Sequence, residues 1–305
     1  MAAHGIGFQK RFGQNFLINE AIPPRIAAEA ARMAVSGGNC SEADKEAGCF
    51  LEIGPGIGTL TRELSAAADR VVSVEIDTGL LPVLAGTLAD CPNVTVVNAD
   101  IMKVDLPSFC EEHFGSRPVS LCANLPYNIT TPVIMRFLEA GIRLCSITVM
   151  VQKEVADRFS SHAGEETYGA VTAAIAYYGR CERLFTVKAG SFLPAPKVDS
   201  AVIGISLYPR DAMPVKAADE TLFFRTVKAA FSQRRKVLRN TLAAGLSLTR
   251  EEAVRAIEEA GFPPEIRGEC LSAADFARLS DRIGVILSER QKEGAAAPAD
   301  SKMHN

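Results

Sequence analysis

The stretch FLEIGPGIGTLTREL, residues 50–64, constrains this chain more than any other. Apolar Phe50, Leu51 and Ile53 run into Gly54, Gly56 and Gly58, and a helix-like pattern opens at Thr59, with Leu60 and Leu64 one turn apart. Strand, glycine turn and helix bring backbone N–H groups against a nucleotide-like ligand. Glycine suits such a turn because a Cβ would block the approach and because the turn uses positive φ. A tight βα turn without a ligand has the same glycines, so the surrounding residues must decide. The spacing is G-x-G-x-G, not the dinucleotide G-x-G-x-x-G. Glu52 stands just before the turn, where a carboxylate repels a pyrophosphate and attracts an ammonium or sulfonium. The local electrostatics therefore favour S-adenosylmethionine over NAD.

Further strand-like runs follow at Arg70–Asp77, Asn93–Ala99, Val119–Ala123, Ile147–Val151, Leu184–Lys188 and Ser200–Tyr208, with helical patterns between them. That alternation predicts an α/β fold with a doubly wound, mainly parallel sheet of the Rossmann-like type, whose ligands sit at the carboxyl ends of the strands. At 305 residues the chain accommodates a second small domain as well. The expected division is an N-terminal segment over the cofactor site (1–18), a Rossmann-like domain (19–210), a small all-α domain (217–289) and a disordered tail (290–305). Asn19 reads as a helix N-cap with Pro23 and Pro24 in the first turn, the helix running to about Val35. Residues 36–48 have loop composition.

The eight cysteines lack a C-x-x-C and the four histidines form no ligand pair, which predicts reduced thiols and no metal. No apolar run is long enough to span a membrane and no signal-peptide pattern opens the chain, so a soluble cytoplasmic protein is expected. The net charge of −3 argues mildly against nucleic acid, so such a partner must be recognised by a local patch.

Polar residues at strand ends define the candidate site. Glu75, followed by Ile76, ends the second strand at a spacing from the glycine turn that suits a carboxylate accepting from both ribose hydroxyls. Asp100 ends the third strand, placed to accept from an adenine amine, with Ile101 to pack on the ring. The fourth ends in Asn124-Leu125-Pro126-Tyr127. Methylating an exocyclic amine is difficult because the nitrogen lone pair is delocalised into the ring. Two acceptors on its N–H groups, the Asn124 side-chain oxygen and the Leu125 carbonyl, turn the lone pair towards the electrophile, and Pro126 stiffens the turn. Tyr127 offers a face for stacking a base, and Phe192, in FLPAPKVDS, a second. An alkylated amine is acidic enough to lose its proton to water, so no His or Cys base is required.

Two basic regions remain. Lys10 and Arg11 stand among Phe8, Phe12 and Phe16 in a segment expected to dock on the core or over a ligand. In FFRTVKAAFSQRRKVLRNTL, residues 223–242, Val227, Phe231, Leu238 and Leu242 fall near one helical face. Arg225, Lys228, Arg234, Arg235, Lys236 and Arg239 add six cations with no acid among them. Solvated faces normally mix signs, so a phosphate-contacting element is expected there. Lys197 is a further phosphate candidate.

Taken together, KRFGQNFL (10–17), EIGPGIGTLT, NLPYNI, FLPAPKVDSAV and FSQRRKVLRNTL resemble the ribosomal RNA adenine N6,N6-dimethyltransferase family, and within it the bacterial enzymes of small-subunit (16S) RNA. The resemblance covers about residues 8–285. It implies a class I S-adenosylmethionine-dependent methyltransferase that dimethylates two adjacent adenines near the 3′ end of that RNA during subunit assembly. It further implies that Gln14, Asn15 and Leu17 lie at the cofactor, with Gln14 near the target base. Gly54 would approach the methionine part, Glu75 the ribose and Asp100 the adenine, with Glu52, Gly56, Ile76 and Ile101 also at the cofactor and Asn124 at both cofactor and target. Tyr127 and Phe192 would sandwich the base. Large-subunit resistance enzymes of related sequence and a non-catalytic assembly factor are the rival readings.

Overall fold

In the computed structural model, which describes residues 16–37, 48–233 and 235–296, the apolar runs become strands separated by helices. A short strand β1 (Phe16–Leu17) leads into α1 (Ile22–Ser36). The alternation continues through β2 (Cys49–Ile53), α2 (Thr59–Ala67), β3 (Arg70–Glu75), α3 (Leu81–Thr87), β4 (Val94–Asn98) and α4 (Leu106–Phe114). It ends with β5 (Val119–Asn124), α5 (Thr130–Glu139), β6 (Leu144–Gln152) and α6 (Lys153–Phe159). After α7 (Ala170–Tyr178) come β7 (Gly179–Val187), β8 (Phe192–Leu193) and β9 (Ser200–Leu207).

Seven strands form one sheet in the order β4-β3-β2-β5-β6-β9-β7, parallel from β4 to β6, with β9 antiparallel to both its neighbours. β2, β5 and β6 are buried along nearly their whole length, as strands are when both sheet faces are covered. The chain builds outwards from β2 through β3 to β4, then returns to β5 on the other side of β2. The carboxyl ends of β2 and β5 therefore flank the point where strand order reverses, the place such sheets use for ligands. α1 packs on α2, β6 and β9, and its Ile26, Ala27 and Ala30 join Phe50, Leu64, Met150 and Val202 in the core.

The described residues fall into two compact units, and the segment Ser161–Tyr177 goes with the residues from Pro214 onwards, not with the sheet. This second unit contains α8 (Glu220–Ala230), α9 (Leu238–Leu246), α10 (Arg250–Glu259) and α11 (Ala273–Ala296). Tyr177 stacks 4.3 Å from Phe223, Phe231 lies 5.8 Å from both Tyr168 and Phe276, and the Tyr168 hydroxyl donates to the Leu271 carbonyl at 2.9 Å. α11 continues through 290–296, beyond the boundary that composition suggests.

Several local readings differ from the structure. The N-cap of α1 is Ala21, while Asn19 accepts from the Ala21 N–H at 3.1 Å in a turn that precedes the helix. β7 begins at Gly179, ahead of the apolar run, because the alternation of exposed Arg180 and Glu182 suits a strand paired on one side only. Residues 223–242 are not one helix. α8 closes with Phe231 N–H on the Val227 carbonyl, Val237 is extended, and the Leu238 N–H donates to the Ile266 carbonyl at 2.9 Å, a contact an unbroken helix would forgo. The expectation of reduced thiols fails at Cys145, which is disulfide-bonded. No described helix is long and apolar enough to cross a membrane.

Candidate active site

Beyond Ile53 the chain turns over Gly54, Gly56 and Gly58 with φ of 68°, 61° and 87°, a region that side-chain-bearing residues seldom enter. Gly58 caps α2, and a Cβ there would lie 3.1 Å from Thr87 Oγ1 and Leu88 Cδ2. Where a Cβ of Gly54 would stand there is open space, part of a cavity of about 390 Å³ that Gly54 lines. The cavity lies at the carboxyl ends of β2, β3 and β5, and every described cofactor and catalytic candidate lines it.

Glu52 is the last polar residue of β2 and is 1% exposed. Its Oε2 accepts from Thr61 Oγ1 on α2 and Ser73 Oγ on β3, both at 2.7 Å. Burial raises its carboxyl to about 7; the two hydroxyls oppose that rise and the Glu75 charge adds to it. Thr61 and Ser73 escaped the sequence reading. Each lies on a different element from Glu52, and only the parallel pairing Glu52↔Ser73 and the turn onto α2 bring them to it.

Glu75 ends β3, one position beyond the residue paired with Ile53. Its Oε1 accepts from the Asp77 N–H at 2.8 Å, and the Gly56 and Ile76 amides also act on the carboxylate to hold its pKa down. Burial raises its pKa against those amides. The glycine turn is thereby tied to the carboxylate expected at the ribose. Exposed Ile76 and buried Ile101 offer apolar surface on the same wall. Asp100 accepts from the Met102 N–H at 3.0 Å, and Lys103 Nζ lies 3.7 Å from its other oxygen.

At the end of β5, where Asn124 still pairs with Met150 in the sheet, the Asn124 side chain and the Leu125 carbonyl make no hydrogen bond with another described residue. Their neighbours are fixed: the Pro126 carbonyl accepts from the Ile129 N–H at 3.1 Å and from Thr130 Oγ1 at 3.2 Å. The Tyr127 hydroxyl bonds Ser200 Oγ at 2.8 Å, locking the ring to the start of β9. Ser200 closes the FLPAPKVDS motif but was not singled out from the sequence. Phe192 lines the cavity yet is 2% exposed, so most of its ring is spent on the core. It pairs with Leu17 in the antiparallel β1–β8 ribbon, so both reach the cavity from one wall.

Lys10, Arg11, Gln14, Asn15 and Arg234 lie outside the described residues. Lys197 is exposed in the loop between β8 and β9. Arg225 and Lys228 are exposed on α8, and Arg235 and Lys236 in the break before α9. Arg239 is different: its guanidinium is held by Glu265 and the Pro264 carbonyl. Among the described residues no group of three or more His, Cys, Asp or Glu is placed to hold a metal.

A family model described as ribosomal RNA adenine dimethylase matches residues 6–283. The chain belongs to this family. Ribosomal RNA small subunit methyltransferase A of Clostridioides difficile (strain 630) is 43% identical to it over 283 residues, 93% of each chain. The protein of the same name from Lachnoclostridium phytofermentans is 45% identical over 288 residues, again 93% of each. Among solved structures, the 23S rRNA methyltransferase ErmE superposes with a TM-score of 0.64 at 26% identity, covering 88% of this chain and 100% of that one. A dimethyladenosine transferase from Plasmodium falciparum shares the fold, with a TM-score of 0.65, 22% identity and 92% and 98% coverage. As a member of the dimethylase family the chain is an S-adenosylmethionine-dependent ribosomal RNA methyltransferase with a Rossmann-like sheet.

The cavity fits that cofactor on its own chemistry. A site for a cation flanked by an adenosine needs acid at one end, a diol acceptor next to it and an apolar slot for the ring. Glu52, Glu75 and the Ile76–Ile101 wall supply these, and the volume lies in the range of small-molecule sites. A pyrophosphate would meet two buried carboxylates instead.

Proposed function

We propose that this protein transfers methyl groups from S-adenosylmethionine to N6 of two adjacent adenines near the 3′ end of 16S ribosomal RNA in the assembling small subunit. The observation that carries the reading is the pair of acceptors with no hydrogen-bond partner among the described residues, Asn124 Oδ1 and the Leu125 carbonyl, on the same cavity as Glu52 and Glu75. Bound S-adenosylmethionine supplies the electrophilic methyl group. Asn124 and Leu125 accept the two N–H groups of the target amine and so direct its lone pair into the cavity. Tyr127, held by Ser200, presents its ring to the base, and Phe192 limits the slot from the other wall. Water takes the proton that the alkylated nitrogen releases. The small-subunit assignment draws support from two relatives of that name at 43% and 45% identity.

In this reading Gln14, Asn15 and Leu17 close over the cofactor, and the helical unit contributes Arg225, Lys228, Arg234, Arg235 and Lys236 to the RNA backbone, joined by Lys10, Arg11 and Lys197. Arg239 supports the unit through Glu265. The protein works in the cytoplasm as a monomer.

Mass spectrometry of RNA from unmethylated small subunits, incubated with the protein and labelled S-adenosylmethionine, tests the proposal. Label as N6,N6-dimethyladenine at two adjacent 3′-terminal adenines is the expected result. Label on large-subunit RNA alone would favour the activity named for ErmE, and no label on either would leave an RNA-binding factor.

A further inference from the structure

Large apolar side chains are exposed at few described positions, and three of them, Ile18 (53%), Leu193 (50%) and Val198 (47%), fall on the β1–β8 ribbon and the loop after it. Single exposed apolar residues are ordinary, but a concentration beside a ligand cavity marks a contact surface. Ribbon geometry accounts for the placement. Leu17 and Phe192 are register partners and both line the cavity. Successive strand residues face opposite ways, so Leu193 stands on the outer face of the same ribbon. Ile18 extends it, its N–H bonded to the Ser191 carbonyl at 2.8 Å. Val198 sits two residues before Ser200, whose hydroxyl holds Tyr127.

This rim is preformed. The Asp199 carboxylate ties the loop down through Lys188 Nζ at 2.9 Å and the Ala189 N–H at 3.0 Å, while the Lys153 N–H donates to the Asp199 carbonyl at 3.0 Å. Between the anchored end and the ribbon, Lys197 is exposed with no ion pair among the described residues. Two exposed aliphatic side chains and an exposed lysine on the segment that joins Phe192 of the slot to Ser200, the hydroxyl that holds Tyr127, complement the nucleotides on either side of a base in that slot: stacked rings for the aliphatic pair and a phosphate for the lysine.

We propose that Leu193 and Val198 form an aliphatic wedge that replaces the stacking lost by the neighbours when the target adenine leaves its stack for the cavity, with Lys197 on the adjacent phosphate. Drawing a base out of a stack costs energy, and inserted aliphatic side chains offset it. The inference rests on the acceptor reading above and deepens it by naming the residues that contact the flanking nucleotides.

The test uses small subunits reconstituted with RNA in which the two neighbours of one target adenine, the second adenine among them, are either intact or abasic, and methylation is read at that one adenine by mass spectrometry. On intact RNA, Leu193→Ala/Val198→Ala should lower kcat/KM for methyl transfer about tenfold, the scale of one lost base stack, with cofactor affinity and Tm unchanged. On abasic-flanked RNA, wild type and variant should agree within about twofold, because no stack remains to be broken. Equal losses on both RNAs, or wild-type activity of the variant on intact RNA, would overturn the wedge. Wild-type protein that methylates neither RNA would overturn the substrate reading itself.

Discussion

Glu52→Gln should change how stability depends on pH, by an amount that the burial of this carboxyl sets. The folded protein holds the group near 7, against 4.5 for an ordinary glutamate. With the folded value above the unfolded one, the native state binds the extra proton between those limits. Stability from this group is therefore fully present below about 4.5 and falls as pH rises towards 7, by about 3 kcal/mol in all. Gln keeps an acceptor for the Thr61 and Ser73 hydroxyls but has nothing to ionise. Its amide N–H groups, buried with no acceptor supplied, cost about 1–3 kcal/mol at every pH. The diagnostic is accordingly the pH trend and not the absolute Tm. Denaturant unfolding of cofactor-free protein between pH 5 and 8 should show the variant gaining on wild type as pH rises, by about 2.5 kcal/mol across the window. Calorimetry should show the reverse for ligand binding: wild type binds S-adenosylmethionine more tightly as pH rises to about 7, releasing a proton, whereas the variant binds weakly at all pH. Parallel unfolding curves for the two proteins would refute the argument, since they would mean Glu52 is not strained by burial.

Four further changes probe the remaining parts of the protein. Glu75→Gln exchanges one charged acceptor for a donor and should weaken S-adenosylmethionine about 10–100-fold, one to two lost charge-assisted hydrogen bonds, while RNA affinity holds; calorimetry and filter binding separate the two, and unchanged cofactor affinity would remove Glu75 from the ribose. Asn124→Ala should reduce kcat at least about 100-fold with little change in affinity for cofactor or RNA, because the lost acceptor acts on the reacting amine alone; single-turnover methylation measures it. Reversing Arg235 and Lys236 to Glu should weaken RNA binding and flatten its salt dependence by about 1 per residue in slope. Arg239→Ala should lower Tm instead and leave the salt slope unchanged, because its charge is already met by Glu265.

The parts of this protein that could be read from its sequence are those in which neighbours along the chain do the physical work. The glycine turn is legible because one strand, three positive-φ positions and one helix start lie within a dozen residues, and Asn124 to Tyr127 because two acceptors and a stiffening proline are consecutive. Glu75 was legible through strand length, which sets where a carboxylate emerges from the sheet. What escaped depends on partners far apart in sequence. Thr61 and Ser73 matter only once parallel pairing sets them against Glu52, and Ser200 only once β9 inserts next to β6 and meets Tyr127. The break in 223–242 is decided by an Ile266 carbonyl, and a basic run cannot show that Arg239 is already neutralised by Glu265. The same rule explains Phe192: its motif marks it as an aromatic wall, but register with Leu17 buries most of the ring. That leaves its neighbours on the outer face of the ribbon, Leu193 above all, free to meet the RNA.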